Sequence, residues 1–114
     1  MATARAMLER RRSSRISVRI PVTVLSRDSE GQPVATSAEA VGISRCGALI
    51  RVPSAVDLGA RFEVLHIHSQ ETREFRVVRV SERKPDGWFE LGVEILFPNR
   101  NFWRVSFPDE SRAN

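Results

Sequence analysis

Six arginines crowd the first twenty residues, Arg5, Arg10, Arg11, Arg12, Arg15 and Arg19, against the single carboxylate of Glu9, so this stretch carries +5. The rest of the chain holds 12 basic and 13 acidic side chains, and the net charge of +4 is therefore an N-terminal property. Such a distribution argues against a nucleic-acid coat over the whole domain. Of the 18 basic residues only Lys84 is a lysine. A guanidinium offers a planar fork of donors that pairs bidentately with phosphate or a guanine edge and stacks on rings, which an ammonium cannot do. A general preference for arginine accounts for the count but not for the clustering. Arg5 and Arg12 read as solvated charge, whereas Arg10, Arg11 and Arg15 are candidates for holding an anion.

Other chemistries find little support. No Ser/His/Asp order or spacing suggests a hydrolytic triad, and no glycine-rich loop precedes a helix. His66 and His68, two apart on an expected strand, share a face and could share a metal, but no third ligand stands out nearby. Glu71, Glu74, Glu90 and Glu94 read as solvated strand faces. The chain is expected not to be an enzyme. Cys46, the only cysteine, excludes an intramolecular disulfide or a cysteine-based zinc site within one chain and is expected to be a small buried packing residue in a reducing compartment. No run approaches the roughly 20 apolar residues of a membrane span, and the N-terminus lacks the apolar core of a secretory signal, so a cytoplasmic location is expected.

The elements that must position the arginines are mostly strands. In "SVRIPVTVLS" Val18, Ile20, Val22 and Val24 alternate with Arg19, Pro21, Thr23 and Leu25, a half-buried strand whose Pro21 requires an edge or a bulge. The polar loop "SRDSEGQP" leads to a second strand, "SAEAVGIS", and the short turn Arg45–Gly47 to a third, "GALIRV". "RFEVLHIH" is a fourth, entered through a turn at Gly59. "TREFRVVRVSE" is a fifth, with a phase slip at Val77–Val78 that marks a bulge or burial on both faces. The Asp-Gly turn of "RKPDGW" leads to a sixth, "FELGVEIL", with Phe89, Leu91, Val93 and Ile95 on one face. Short strands at regular spacing predict an all-β fold, a six-stranded antiparallel barrel over residues 16–106. Residues 1–15 form a basic arm whose "TARAMLERRR" has helix-forming residues but too few large apolar ones to be a stable helix alone. A short C-terminal helical turn at "NRNFWRVSF" would cover a barrel mouth with Phe102 and Trp103, leaving 107–114 as a tail.

Two features stand together on this frame: Arg10-Arg11-x-x-x-Arg15 just ahead of the first strand, and "GISRCG", Gly42 to Gly47, at a strand-to-strand turn. The pair, in this order, resembles the PilZ domain family of bacterial cyclic di-GMP receptors, whose pattern is an RxxxR arm followed some thirty residues later by [D/N]-x-S-x-x-G. The resemblance covers nearly the whole chain: "RISVRIPVTV" is similar to the family's first strand, "SRCGALIRV" to its signature turn and third strand, and "LGVEIL" to its last. It implies a six-stranded antiparallel barrel, usually with a C-terminal helix. It also implies that Arg10 or Arg11 and Arg15 clamp the phosphates and guanine edges of cyclic di-GMP. Ser44 then sits against the ligand, Gly47 lets the turn approach closely, and Gly42, Arg45 and Cys46 are neighbours of the site. An arm that orders around its ligand would be a switch, passing the signal to a protein partner.

The chain departs from the pattern at its head: Gly42 stands where the family has Asp or Asn, and no side-chain oxygen is there to accept from the guanine N1 and N2 hydrogens. A hydrogen bond missing from a desolvated base edge costs about 1–3 kcal/mol, or about 5- to 150-fold in affinity. Three readings stand at this point. The first is a non-catalytic cyclic di-GMP receptor. The second is a degenerate barrel that has lost the nucleotide and serves protein interaction. The third is a small nucleic-acid-binding barrel that uses the basic arm on backbone phosphates.

Overall fold

The computed structural model describes residues 15–97 and 102–105. Six strands, β1 (Ile16–Arg27), β2 (Pro33–Ile43), β3 (Gly47–Val52), β4 (Arg61–His66), β5 (Glu71–Val80) and β6 (Phe89–Ile95), pair antiparallel and close into a barrel in the order β1-β2-β3-β6-β5-β4. The expected six-stranded antiparallel barrel is what the chain forms. Closure removes the free edges that an open sheet of this kind would expose.

Alternation along each strand builds the interior. Val22 and Val24 of β1, Ala38 and Ala40 of β2, Ile50 and Val52 of β3, Phe62 and Val64 of β4, Phe75 and Val77 of β5 and Leu91 and Val93 of β6 are all buried. Three register shifts bend the strands, in β1 between Ser17 and Ile20, in β2 between Ala40 and Gly42, and in β5 between Val77 and Arg79. The phase slip read at Val77–Val78 is the last of these, and it turns Val78 outward, half exposed. Bulges of this kind add the curvature a small barrel requires.

Of the strand ends that differ from the sequence reading, two have a clear local reason. β2 begins at Pro33 because the loop ahead of it is tight. Asp28 Oδ1 accepts from the Glu30 and Gln32 amides, both at 2.9 Å, and Gly31 takes a φ of 82°, which carries β1–β2 pairing out to Arg27 opposite Pro33. As the first residue of a strand, Pro33 loses no ladder bond that the sheet needs. β4 stops at His66 because the Gln70 amide turns back onto the His66 carbonyl at 2.8 Å, so His68 lies in the β4–β5 turn and not on a strand.

Phe102 and Trp103, both buried, close one end of the barrel, their rings 4.8 Å apart and 5.8 and 6.1 Å from Phe75. The two occupy a turn, and among the described residues there is no helix; the remainder of the expected helical turn, like residues 1–14 of the arm, lies outside the described residues. No helix among the described residues is long and apolar enough to cross a membrane.

Candidate functional site

The start of β1, the end of β2 and the start of β3 meet at the end of the barrel that Phe102 and Trp103 cover. Register places Ile16 opposite Ile43 and Ser17 opposite Gly42 on one side, and Gly42 opposite Leu49 on the other. Gly42 is buried at the β2 bulge, and the stem of Arg15 lies over it: a Cβ built there would meet Arg15 Cδ and Leu49 Cβ at 3.5 Å and Arg15 Cγ at 3.6 Å. These are ordinary van der Waals distances, so the space beside Arg15 admits a small side chain. Arg15 itself is exposed, which leaves its guanidinium in solvent above a floor made by β2 and β3.

The turn from β2 to β3 is organised by Ser44. Its Oγ accepts from the Gly47 amide at 3.1 Å and the Cys46 amide at 3.3 Å, and the Ser44 amide donates to the Gly47 carbonyl at 3.0 Å. A serine oxygen that satisfies two turn amides is the mechanism by which such residues hold tight connections. Gly47 is required by packing. Its φ is not in the left-handed region, but an added Cβ would fall 2.0 Å from the Val93 carbonyl oxygen and 3.1 Å from Glu94 Cα. The turn therefore lies directly against β6, an approach that the Ile95 amide secures by donating to the Cys46 carbonyl at 2.8 Å.

Cys46 is exposed, contrary to its reading as a buried packing residue. Tethered through its backbone to Ser44 and Ile95, it projects its side chain outward beside the exposed Arg45. Arg15, Gly42, Ser44, Arg45, Cys46 and Gly47 thus share one end of the barrel. Arg10 and Arg11 lie outside the described residues.

Residues 9–108 match the family model of the PilZ domain. The chain belongs to the PilZ domain family. No curated protein matches it. Among solved structures, the barrel is similar to the PilZ domain with c-di-GMP of YcgR from Escherichia coli, at 18% identity and a TM-score of 0.56, over 91% of this chain and 85% of that one. In this PilZ barrel the turn from Ser44 to Gly47 lies at the end where the stem of Arg15 covers Gly42.

A second group of residues gathers at the same end, several of which the sequence reading named singly without bringing them together. His66, His68, Ser69, Trp103 and Arg104 face Arg19, Ile20 and Pro21 across a pocket of about 500 Å³. It opens where β1 and β4 separate, since their pairing runs only from Leu25 opposite Glu63 to Val22 opposite His66. Pro21, with no amide hydrogen to continue that ladder, was the one legible sign of such a gap. Among the described residues no group of three or more His, Cys, Asp and Glu could hold a metal ion.

Proposed function

We propose that this PilZ barrel is a non-catalytic receptor for cyclic di-GMP, with Arg10, Arg11 and Arg15 forming an arm that closes over nucleotide on the barrel and presents the ordered surface to a protein partner in the cytoplasm. The observation that carries the reading is the seat of Arg15: its stem rests on Gly42 beside the Ser44–Gly47 turn, so the second arginine of RxxxR and the signature turn form one continuous surface. Family membership and the cyclic di-GMP complex of the similar YcgR barrel support the same assignment. A cyclic dinucleotide offers two phosphates, two Hoogsteen edges and purine faces, and arginine forks match all three. Ser44, whose lone pairs already serve turn amides, holds the turn in shape, and Gly47 keeps it against β6.

Gly42 supports a second reading, a barrel without nucleotide that serves protein interaction, because the guanine-edge acceptor is missing. Thermal unfolding separates the alternatives. A ligand that binds only the folded state raises its stability as RT ln(1 + [L]/Kd). Cyclic di-GMP, GMP and a single-stranded RNA are compared at low and high salt. The receptor reading predicts a midpoint that rises with cyclic di-GMP alone and keeps most of that rise in high salt. A rise with RNA that collapses in salt favours nucleic-acid binding, and no rise with any of the three favours the interaction barrel.

A further inference from the structure

The pocket between β1 and the β4–β5 turn lies across β1 from the Arg15–Gly42 surface, and nothing in the RxxxR or signature-turn chemistry uses it. Its walls divide by chemistry. Ile20, Pro21 and Trp103 give an apolar side; Arg19, Arg104, His66, His68 and Ser69 give a polar side, each arginine being paired with a carboxylate just outside the lining. A volume of about 500 Å³ falls within the usual range for small-molecule sites.

Two observations mark it as more than a packing gap. His66 is only 4% exposed, and its Nδ1 has no hydrogen-bond partner. Buried polar atoms are nearly always paired, so an orphan on a ring that lines a pocket calls for an explanation. Arg104 holds a φ of 63°, a left-handed conformation costly for a residue with a long side chain. Its Nη2 donates to Glu71 Oε2 at 2.9 Å, which fixes the guanidinium there, and Arg19 Nη1 reaches Glu39 Oε1 of β2 at 3.5 Å. A guanidinium has five donors, and one carboxylate occupies at most two, so both arginines retain donors for a further anion. Burial, the neighbouring His68 and Arg104 all hold the His66 pKa below its usual value. A lowered pKa favours the neutral ring, which carries one accepting nitrogen.

We propose that this pocket is a binding site for a small organic anion. A carboxylate or phosphate is held between Arg19 and Arg104, and the apolar body packs on Ile20, Pro21 and Trp103 beside the His66 ring. The site is separate from the Arg15–Gly42 surface, and occupancy of one does not require the other.

Phenyl phosphate, benzoate and uncharged benzyl alcohol, titrated into the ¹⁵N-labelled full chain at millimolar concentrations, provide the test, with chemical shifts of the His66 ring nitrogens and the Trp103 indole as readout. Saturable shifts centred on these two residues are expected with at least one anion and not with benzyl alcohol. They should be lost in Arg19→Ala and Arg104→Ala, each shown to be folded by its amide spectrum, and retained in Arg15→Ala. A response to phenyl phosphate alone identifies phosphate as the recognised group, and a response to benzoate alone identifies carboxylate. The proposal is overturned if neither anion saturates, if benzyl alcohol acts equally well, or if Arg104→Ala responds as the wild type does.

Discussion

Gly42 and Gly47 are both glycines of the signature segment, yet they are constrained differently. At Gly47 the Val93 carbonyl oxygen would lie 2.0 Å from any Cβ, so Gly47→Ala must push β3 from β6. We expect a loss of about 1–3 kcal/mol, as for other overpacked sites, measured by urea unfolding. At Gly42 the contacts are ordinary, at 3.5 Å or more, and the backbone is not left-handed. Gly42→Asp should therefore fold and should restore the acceptor for a guanine edge, raising cyclic di-GMP affinity by about 5- to 150-fold. Unchanged or weaker affinity in the folded variant would show that the guanine does not rest against this position. Ser44 and Gly47 were singled out by the resemblance of "GISRCG" to the PilZ pattern, but the packing reason for Gly47 was not legible: close approach to β6 is a tertiary contact between residues more than forty positions apart. The exposure of Cys46 was hidden for the same reason, because the backbone bond to Ile95 that holds the turn outward depends on which strand neighbours β3.

At the scale of elements, the period-two alternation revealed six strands and the β5 slip, since these depend on which faces are buried. The ends of β2 and β4 depend instead on turns, where Asp28 and Gln70 set the geometry, and these the alternation does not encode. The β4–β5 turn leads to a pH prediction. Burial is the first cause that lowers the His66 pKa, followed by His68, while the Trp103 carbonyl partly opposes them. Below the unfolded value of about 6.5 the unfolded chain takes up a proton that the folded chain resists, so this contribution to stability is complete above that pH and is lost as pH falls towards the lower folded pKa. Urea midpoints at about pH 7.5 and 5.5 should show a drop in the wild type that is smaller in His66→Gln. An equal drop in both would assign the sensitivity to other groups.

For the molecule as a whole, the barrel and its aromatic closure make one core, with Phe102 fully buried against Phe75, Trp103 and His66. Phe102→Ala should cost about 3–5 kcal/mol by calorimetric unfolding. A loss below about 1 kcal/mol would mean that the cap is not part of that core. The sequence made this aromatic pair legible as a lid but did not show that closing the end beside Pro21 leaves a pocket there, since a gap arises from elements that fail to meet. The functional account rests on the basic arm and the signature turn acting as one site on this closed scaffold. Its most direct test is calorimetric titration of cyclic di-GMP into the full chain at moderate salt, with Arg11→Ala and Arg15→Ala in parallel. The account predicts saturable binding in the wild type that is lost in both variants, whereas binding that survives both substitutions, or a folded wild type that gives no heat at high micromolar nucleotide, would contradict it.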